Sequence, residues 1–140
     1  GMKIRKNAFE CTLQLRWSDQ DLFGHLNNAR IMTLIEEARI RAGRHVAAGE
    51  HEPSQQKVVR SQNTVFDKPI NYTSDVTAKV WVSRIGNTSL TMCHELLQDG
   101  QRCVYSEAVL VVIDKTSGLP SPISEREREL LAPVCQTPEQ

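Results

Sequence analysis

Between Asn27 and Ala48 the chain carries one long helical pattern that is apolar over most of its circumference. Ala29, Met32, Ile35, Ala38, Ala42 and Val46 recur at spacings of three and four, and Ile31, Leu34 and Ile40 widen the stripe. A helix this apolar over several turns is poorly suited to a solvated flank, so the rest of the chain is expected to wrap it. Glu37 with Arg41 and Glu36 with Arg39 are expected as ion pairs along its polar side. At 140 residues, with 39% apolar and 24% charged residues, the chain suits a single core.

The wrapping material is strand-like. Phe9, Cys11, Leu13, Leu15 and Trp17 alternate with Glu10, Thr12, Gln14, Arg16 and Ser18, which predicts a half-buried strand over 9–18. After a polar loop at 50–56, further strands are predicted over 57–66, 75–85, 88–98 and 101–114. Asp99-Gly100 is the strongest hairpin signal. The last strand is apolar on both faces, through Val104, Ala108, Leu110 and Val112 and through Val109, Val111 and Ile113, as an interior strand should be. Ser124 and Glu127 form a capping box for a short helix reaching Leu131. The expected architecture is a single α+β domain over 8–132, in which an antiparallel sheet of about five strands curls around one long helix. Residues 133–140 are expected to fray.

Seventeen basic and seventeen acidic residues leave net charge near zero, which argues against nucleic-acid or anionic-membrane partners. Cys11, Cys93, Cys103 and Cys135 show no metal or redox spacing and read as reduced thiols. No apolar core of an export signal follows the basic start, so a cytoplasmic location is expected. His94 alternates with core residues and reads as a satisfied interior histidine. His45 and His51, with Glu50 and Glu52, read as a solvated loop, and no metal site is expected. Neither a Gly-x-Ser-x-Gly elbow nor a phosphate-cradling glycine loop is present.

The chemistry-bearing residues gather where the first strand meets the helix. Asp19, Asp21, Gly24, His25, Asn27 and Asn28 lie within ten residues. A polar bend opening onto a helix N-terminus suits chemistry on an electron-rich acyl group, because free N–H groups and the positive end of the dipole favour developing negative charge. Taken alone, Asp21 reads first as a turn aspartate capping its own bend and only second as a catalytic carboxylate. Asp19 reads as a loop anchor that accepts local N–H bonds. His25 serves either proton transfer or loop positioning, and Asn27 or Asn28 can cap the helix, with Asn28 preferred.

The run Arg16-Trp17-Ser18-Asp19-Gln20-Asp21-Leu22-Phe23-Gly24-His25-Leu26-Asn27-Asn28, with Glu36-Glu37-Ala38-Arg39 on the helix, resembles the hotdog-fold acyl-CoA thioesterases. More narrowly it is similar to the 4-hydroxybenzoyl-CoA thioesterase-like group. The resemblance implies that Asp21 is the catalytic carboxylate, as nucleophile or as general base. It also implies that a backbone N–H at Asn28 polarises the thioester carbonyl, that His25 assists, and that Gly24 and Asn27 lie against the substrate. Lys57, Arg60, Lys68 and Arg84 are candidates to meet the CoA phosphates. Coenzyme A is then part of the acyl-CoA substrate and no cofactor is required, and the site is expected at the interface of a homodimer or homotetramer. Acyl-carrier-protein thioesters, or acyl-CoA binding without catalysis, are the alternatives. The run departs from the family pattern at Ile31, where relatives often carry an aromatic residue.

Overall fold

The computed structural model describes residues 7–50 and 52–136. Five strands form one antiparallel sheet: β1 (Phe9–Leu13), β2 (Gln55–Phe66), β3 (Val76–Ile85), β4 (Ser89–Gln98) and β5 (Gln101–Asp114). They lie in the order β1-β3-β4-β5-β2, so β5 is interior, as its two-sided apolarity requires. The helix α1 (Asn28–Ala47) lies against the sheet, and the short α2 (Glu125–Leu131) follows the last strand. This is the curled-sheet hotdog architecture.

Alternation places one set of side chains inward. Val76, Ala78, Val80 and Val82 of β3 and Leu90 and Leu96 of β4 meet Leu34, Ile35, Ala38 and Ala42 of α1 in one core. Each large aliphatic side chain so buried contributes about 1.5–3 kcal/mol. Asp99 and Gly100 take positive φ of 52° and 77° in the tight β4–β5 turn, the conformation that an Asp-Gly pair favours. Ser124 caps α2 by accepting from the Glu127 N–H at 3.1 Å. Glu127 does not complete the box; its carboxylate forms an ion pair with Lys57 instead.

The expectations differ from the structure at several places. β1 stops at Leu13 rather than running to Ser18, because β3 begins at Val76 and offers no partner beyond it. Residues Trp17–Asp19 form a 3-10 turn in place of strand, and Trp17 is exposed. The cap of α1 is Asn27, whose Oδ1 accepts from the Arg30 N–H at 2.9 Å, and Asn28 is the first helical residue. The helix ends through Ala48 at φ 50°, one residue before Gly49. Part of the segment expected to fray is docked: Ala132–Val134 form a 3-10 turn, and Gln136 donates its N–H to the Val82 carbonyl at 2.7 Å. It thereby occupies the edge of β3 that β1 is too short to cover. His51 lies outside the described residues; His45 belongs to the last turn of α1, its ring 5.2 Å from that of Phe9, and Glu50 pairs with Arg126. Among the described residues no cluster of His, Cys, Asp and Glu could hold a metal ion. No described helix is long and apolar enough to cross a membrane.

Candidate active site

The junction before α1 folds back on itself as a small closed loop. Gln20 bridges Leu26. Asp21 N–H donates to the His25 carbonyl at 2.6 Å, and Gly24 N–H donates to the Asp21 carbonyl at 3.2 Å. Gly24 closes this bend at φ 77°, a conformation that strains any side chain. The loop is moored at both ends. On one side Leu26 N–H donates to the Ile70 carbonyl at 2.8 Å, and His25 bridges Asn71. On the other, Asn27 N–H donates to the Asp19 carbonyl at 3.1 Å.

Asp19 is the anchor expected of it. Its carboxylate is buried and accepts from the Arg16 backbone N–H at 2.9 Å and the Arg16 guanidinium at 3.1 Å. The Arg30 Nε lies 3.2 Å from its other face as an ion pair, without hydrogen-bond alignment. Burial alone pushes this carboxyl up, but the Arg16 bonds and the Arg30 charge outweigh it and hold the group below its ordinary value.

Asp21 is exposed and its two oxygens differ. Oδ1 accepts from the backbone N–H of Phe23 at 2.8 Å and of His25 at 3.1 Å. Those bonds make Asp21 a turn-capping aspartate. They also fix the carboxylate in one orientation, and Oδ2 has no hydrogen-bond partner among the described residues. The His25 imidazole makes no hydrogen bond to Asp21; only its backbone does. At the start of α1, Asn27 satisfies the Arg30 N–H with its side chain and the Ile31 N–H with its carbonyl. Among the described residues that leaves the Asn28 and Ala29 N–H groups unpaired at the positive end of a 20-residue helix.

The four basic candidates are not gathered in one place. Arg84 pairs with Thr91 across the sheet, while Gln98, at the other end of β4, binds Asn71 beside the loop. Seven residues separate those levels, about 23 Å at ~3.3 Å per residue. Arg60 sits in the β2 bulge at the level of Arg84, and Lys57 is engaged by Glu127. Lys68, whose ammonium donates to Gln101 at 2.7 Å, is the member at the loop end.

Two supporting residues were missed. Arg30 braces Asp19, with no sequence spacing to announce it. Gln98 is buried and donates to both the Asn71 and Ser74 carbonyls, at 2.7 and 2.8 Å, tying the segment that moors the loop to the sheet. Its signal was available, since Gln98 continues the inward alternation of Leu90, Met92, His94 and Leu96.

A model of the thioesterase-like superfamily matches residues 15–131 of the chain. The uncharacterized protein YsmA of Bacillus subtilis is 28% identical over 126 residues, covering 89% of this chain and 85% of that protein. The solved structure of a predicted thioesterase from Bacillus stearothermophilus superposes with a TM-score of 0.85 at 27% identity, covering 94% of this chain and 99% of the other. A thioesterase from Thermus thermophilus, complexed with coenzyme A and zinc, superposes with a TM-score of 0.78 at 26% identity over 91% of this chain and 93% of its own.

Proposed function

The chain belongs to the thioesterase-like superfamily and is a thioester hydrolase; from that premise we propose that it hydrolyses an acyl-CoA to a carboxylic acid and free CoA, with Asp21 as its catalytic carboxylate. The supporting observation is the asymmetry of that carboxylate, with Oδ1 held by two N–H donors and Oδ2 unpaired. As nucleophile, Oδ2 attacks the thioester carbon, the C–S bond breaks, and water then cleaves the resulting anhydride. As general base, Oδ2 takes a proton from a water that attacks the same carbon directly. Either way the oxygen of water ends in the acid and the proton balance returns on the CoA thiol.

The Asn28 and Ala29 N–H groups supply donors for the carbonyl oxygen as it becomes negative, where the helix dipole favours that charge. His25 stands beside the carboxylate in the loop and is the group proposed to assist proton transfer to the departing sulfur. Gly24 and Asn27 shape the floor, and Lys68 is positioned at this end for a CoA phosphate. No cofactor enters the proposed chemistry. Trp17, Leu22 and Phe23 expose 75%, 99% and 83% of their surface around Asp21, which supports a second copy of the chain covering the site in a homodimer or homotetramer. A cytoplasmic location accords with such a substrate.

The test is free-thiol release from a panel of short, long and aromatic acyl-CoAs. Asp21→Asn keeps an acceptor for the Phe23 and His25 N–H groups while removing the charge, and turnover is expected to fall by about a hundredfold or more. Equal rates in the two proteins would refute Asp21. Saturable binding with no thiol release by the wild type would make the chain a binding module, and release only from carrier-protein thioesters would reassign the substrate.

A further inference from the structure

The strand order forces one connection to cross the end of the sheet. β2 lies at one edge and β3 lies beyond β5 and β4, so residues 67–75 run over the tip of the β4–β5 hairpin. The peptide groups of this crossover stand outside the sheet ladder and need other partners. The hairpin tip supplies several. The Cys103 carbonyl accepts from the Asp67 and Lys68 N–H groups at 2.8 and 3.1 Å, and the Asp99 carboxylate accepts from the Ser74 hydroxyl at 2.8 Å. Gln98, the last residue of β4, holds the middle of the crossover.

The Gln98 side chain is buried, and its Oε1 accepts from the Asn71 N–H at 3.0 Å. Its Nε2 donates to the Asn71 and Ser74 carbonyls at 2.7 and 2.8 Å. The exchange with Asn71 reproduces the two-bond pattern of a residue pair in an antiparallel ladder, with a side-chain amide in place of a peptide. Both amide hydrogens are used, and all three bonds go to the crossover. The opposite edge of the crossover faces the Asp21 loop. The Ile70 carbonyl accepts from the Leu26 N–H at 2.8 Å, and Asn71 bridges His25. His25 in turn meets Asp21 twice through its backbone. Its N–H donates to Oδ1 at 3.1 Å, and its carbonyl accepts from the Asp21 N–H at 2.6 Å. Three links therefore join the end of β4 to the carboxylate, from Gln98 to Asn71, from Asn71 to His25 and from His25 to Asp21.

We propose that Gln98 is a positioning residue for the reaction: by seating Asn71 it fixes the His25 backbone, and with it the orientation of the Asp21 carboxylate. The inference rests on the reading of Asp21 as the catalytic carboxylate for its effect on turnover, though not for its effect on the loop. Gln98 acts through the crossover and not on the substrate, so its loss falls on the rate and not on affinity. A displacement on the order of 1 Å at a reacting group can cost about a hundredfold.

Turnover and loop order test this separately. Gln98→Met keeps the length of the side chain and removes all three bonds. With an acyl-CoA that the wild type hydrolyses, it is expected to lower kcat about tenfold or more with KM within about twofold. Val82→Ala, on β3 at the level of Met92, is the comparison; it lowers Tm and is expected to keep kcat. An equal loss of kcat in both variants overturns the proposal, because general destabilisation then explains it. In the Asp21→Asn background, Gln98→Met is expected to have less than about a twofold further effect, as for residues that act through one group. Additive losses overturn the proposal. The second measurement is amide hydrogen exchange, which needs no catalysis. In Gln98→Met the Asp21 and Leu26 amides are expected to accelerate about tenfold or more beyond any change in the amides of β4 and β5. Acceleration no greater than in those strands overturns the proposal. Faster loop exchange in a protein that hydrolyses no acyl-CoA supports the mooring, and the thioester reading then fails separately. Should Gln98→Met not fold, Gln98→Glu keeps the acceptor for the Asn71 N–H, loses both donations when ionised, and is expected to behave in the same way.

Discussion

Lowering the pH is expected to destabilise this protein through one residue, His94, before its carboxylates are titrated. The ring is 1% exposed at the centre of the sheet, with Arg39 facing it from α1 and the Ser106 carbonyl from β5. Its pKa falls from 6.5 to about 4, chiefly because burial penalises the imidazolium; the Ser106 bond opposes the shift, and the Arg39 charge reinforces it. In the unfolded chain the ring binds a proton near pH 6.5, while in the folded chain it stays neutral until about pH 4. The unfolded state therefore holds more protons across that window. The stability is fully present above pH 6.5 and is lost as pH falls through the window. The gap between 6.5 and about 4, at ~1.36 kcal/mol per pH unit, amounts to about 3 kcal/mol.

The assay is urea denaturation at a series of pH values from 7.5 to 4 (values set by the titration window). The comparison is His94→Gln, which retains an acceptor for Arg39 and a donor for the Ser106 carbonyl and does not titrate. Wild type should lose about 3 kcal/mol more than the variant between pH 7 and 4. Using the difference between the two proteins cancels the contribution of the carboxylates, which both share. Parallel stability curves would refute the reasoning, and so would an NMR titration placing the His94 transition near 6.5.

The loop and cap predictions are simpler. Asp19→Asn removes the charge that Arg16 and Arg30 share and should cost about 1.5–3 kcal/mol by chemical denaturation, with a fall in turnover because the loop carrying Asp21 loosens. Because the Asp19 carboxyl is held below its ordinary 3.8, its contribution is complete above that value and is lost as pH falls through the lower folded-state value. The variant should consequently show a flatter acid limb below about pH 4. Asn27→Ala deletes the acceptor for the Arg30 N–H and should cost about 1 kcal/mol, read as a lowered Tm. Asn28→Ala should leave stability close to that of the wild type, which separates the true cap from its neighbour.

What could be read from the chain and what could not divides along the range of the interaction. The Asp-Gly turn and the inward alternation of β3 to β5 are set by near neighbours in sequence and appear at the expected residues, whereas the buried stripe of α1 is narrower than expected, with Ile31, Leu34, Ile35, Ala38 and Ala42 inside and Ala29 and Ile40 exposed. The end of β1 is different. Leu15 and Trp17 continue the alternation, but a strand needs a partner, and β3 supplies none past Val76. The chain turns at Arg16 and Asp19 because Asp19 captures the Arg16 N–H and guanidinium, an event the period-two pattern cannot signal. Glu36 and Arg39 are spaced for an ion pair, yet Arg39 also borders Ala38 on the buried side, and its guanidinium contacts His94 at 3.5 Å while Glu36 acts on it only from farther off. Gln98 looks like a strand end until the 70–74 segment arrives to need its amide.

On the proposed function, Asp21 would combine the two readings that the sequence left in competition. A turn-capping aspartate and a catalytic carboxylate are usually weighed as alternatives, because a carboxylate spent on the backbone is less available for chemistry. Here the spending is confined to Oδ1, through the Phe23 and His25 N–H groups. Capping therefore supplies the orientation that a reacting Oδ2 requires, since a freely rotating aspartate on an exposed loop would sample many orientations besides the productive one. The same logic extends outward: Gly24 permits the bend, Asp19 fixes its entrance, and Ile70 and Asn71 fix its exit. The exposed Leu22 and Phe23 complete the design in a different way. They follow Asp21 directly in the chain and present apolar surface that the described residues leave almost wholly uncovered. Covering them with a second copy would lower the local dielectric around Oδ2 and strengthen both its charge and the pull of the Asn28 and Ala29 N–H groups. On this view the loop is shaped within one chain and made reactive by assembly.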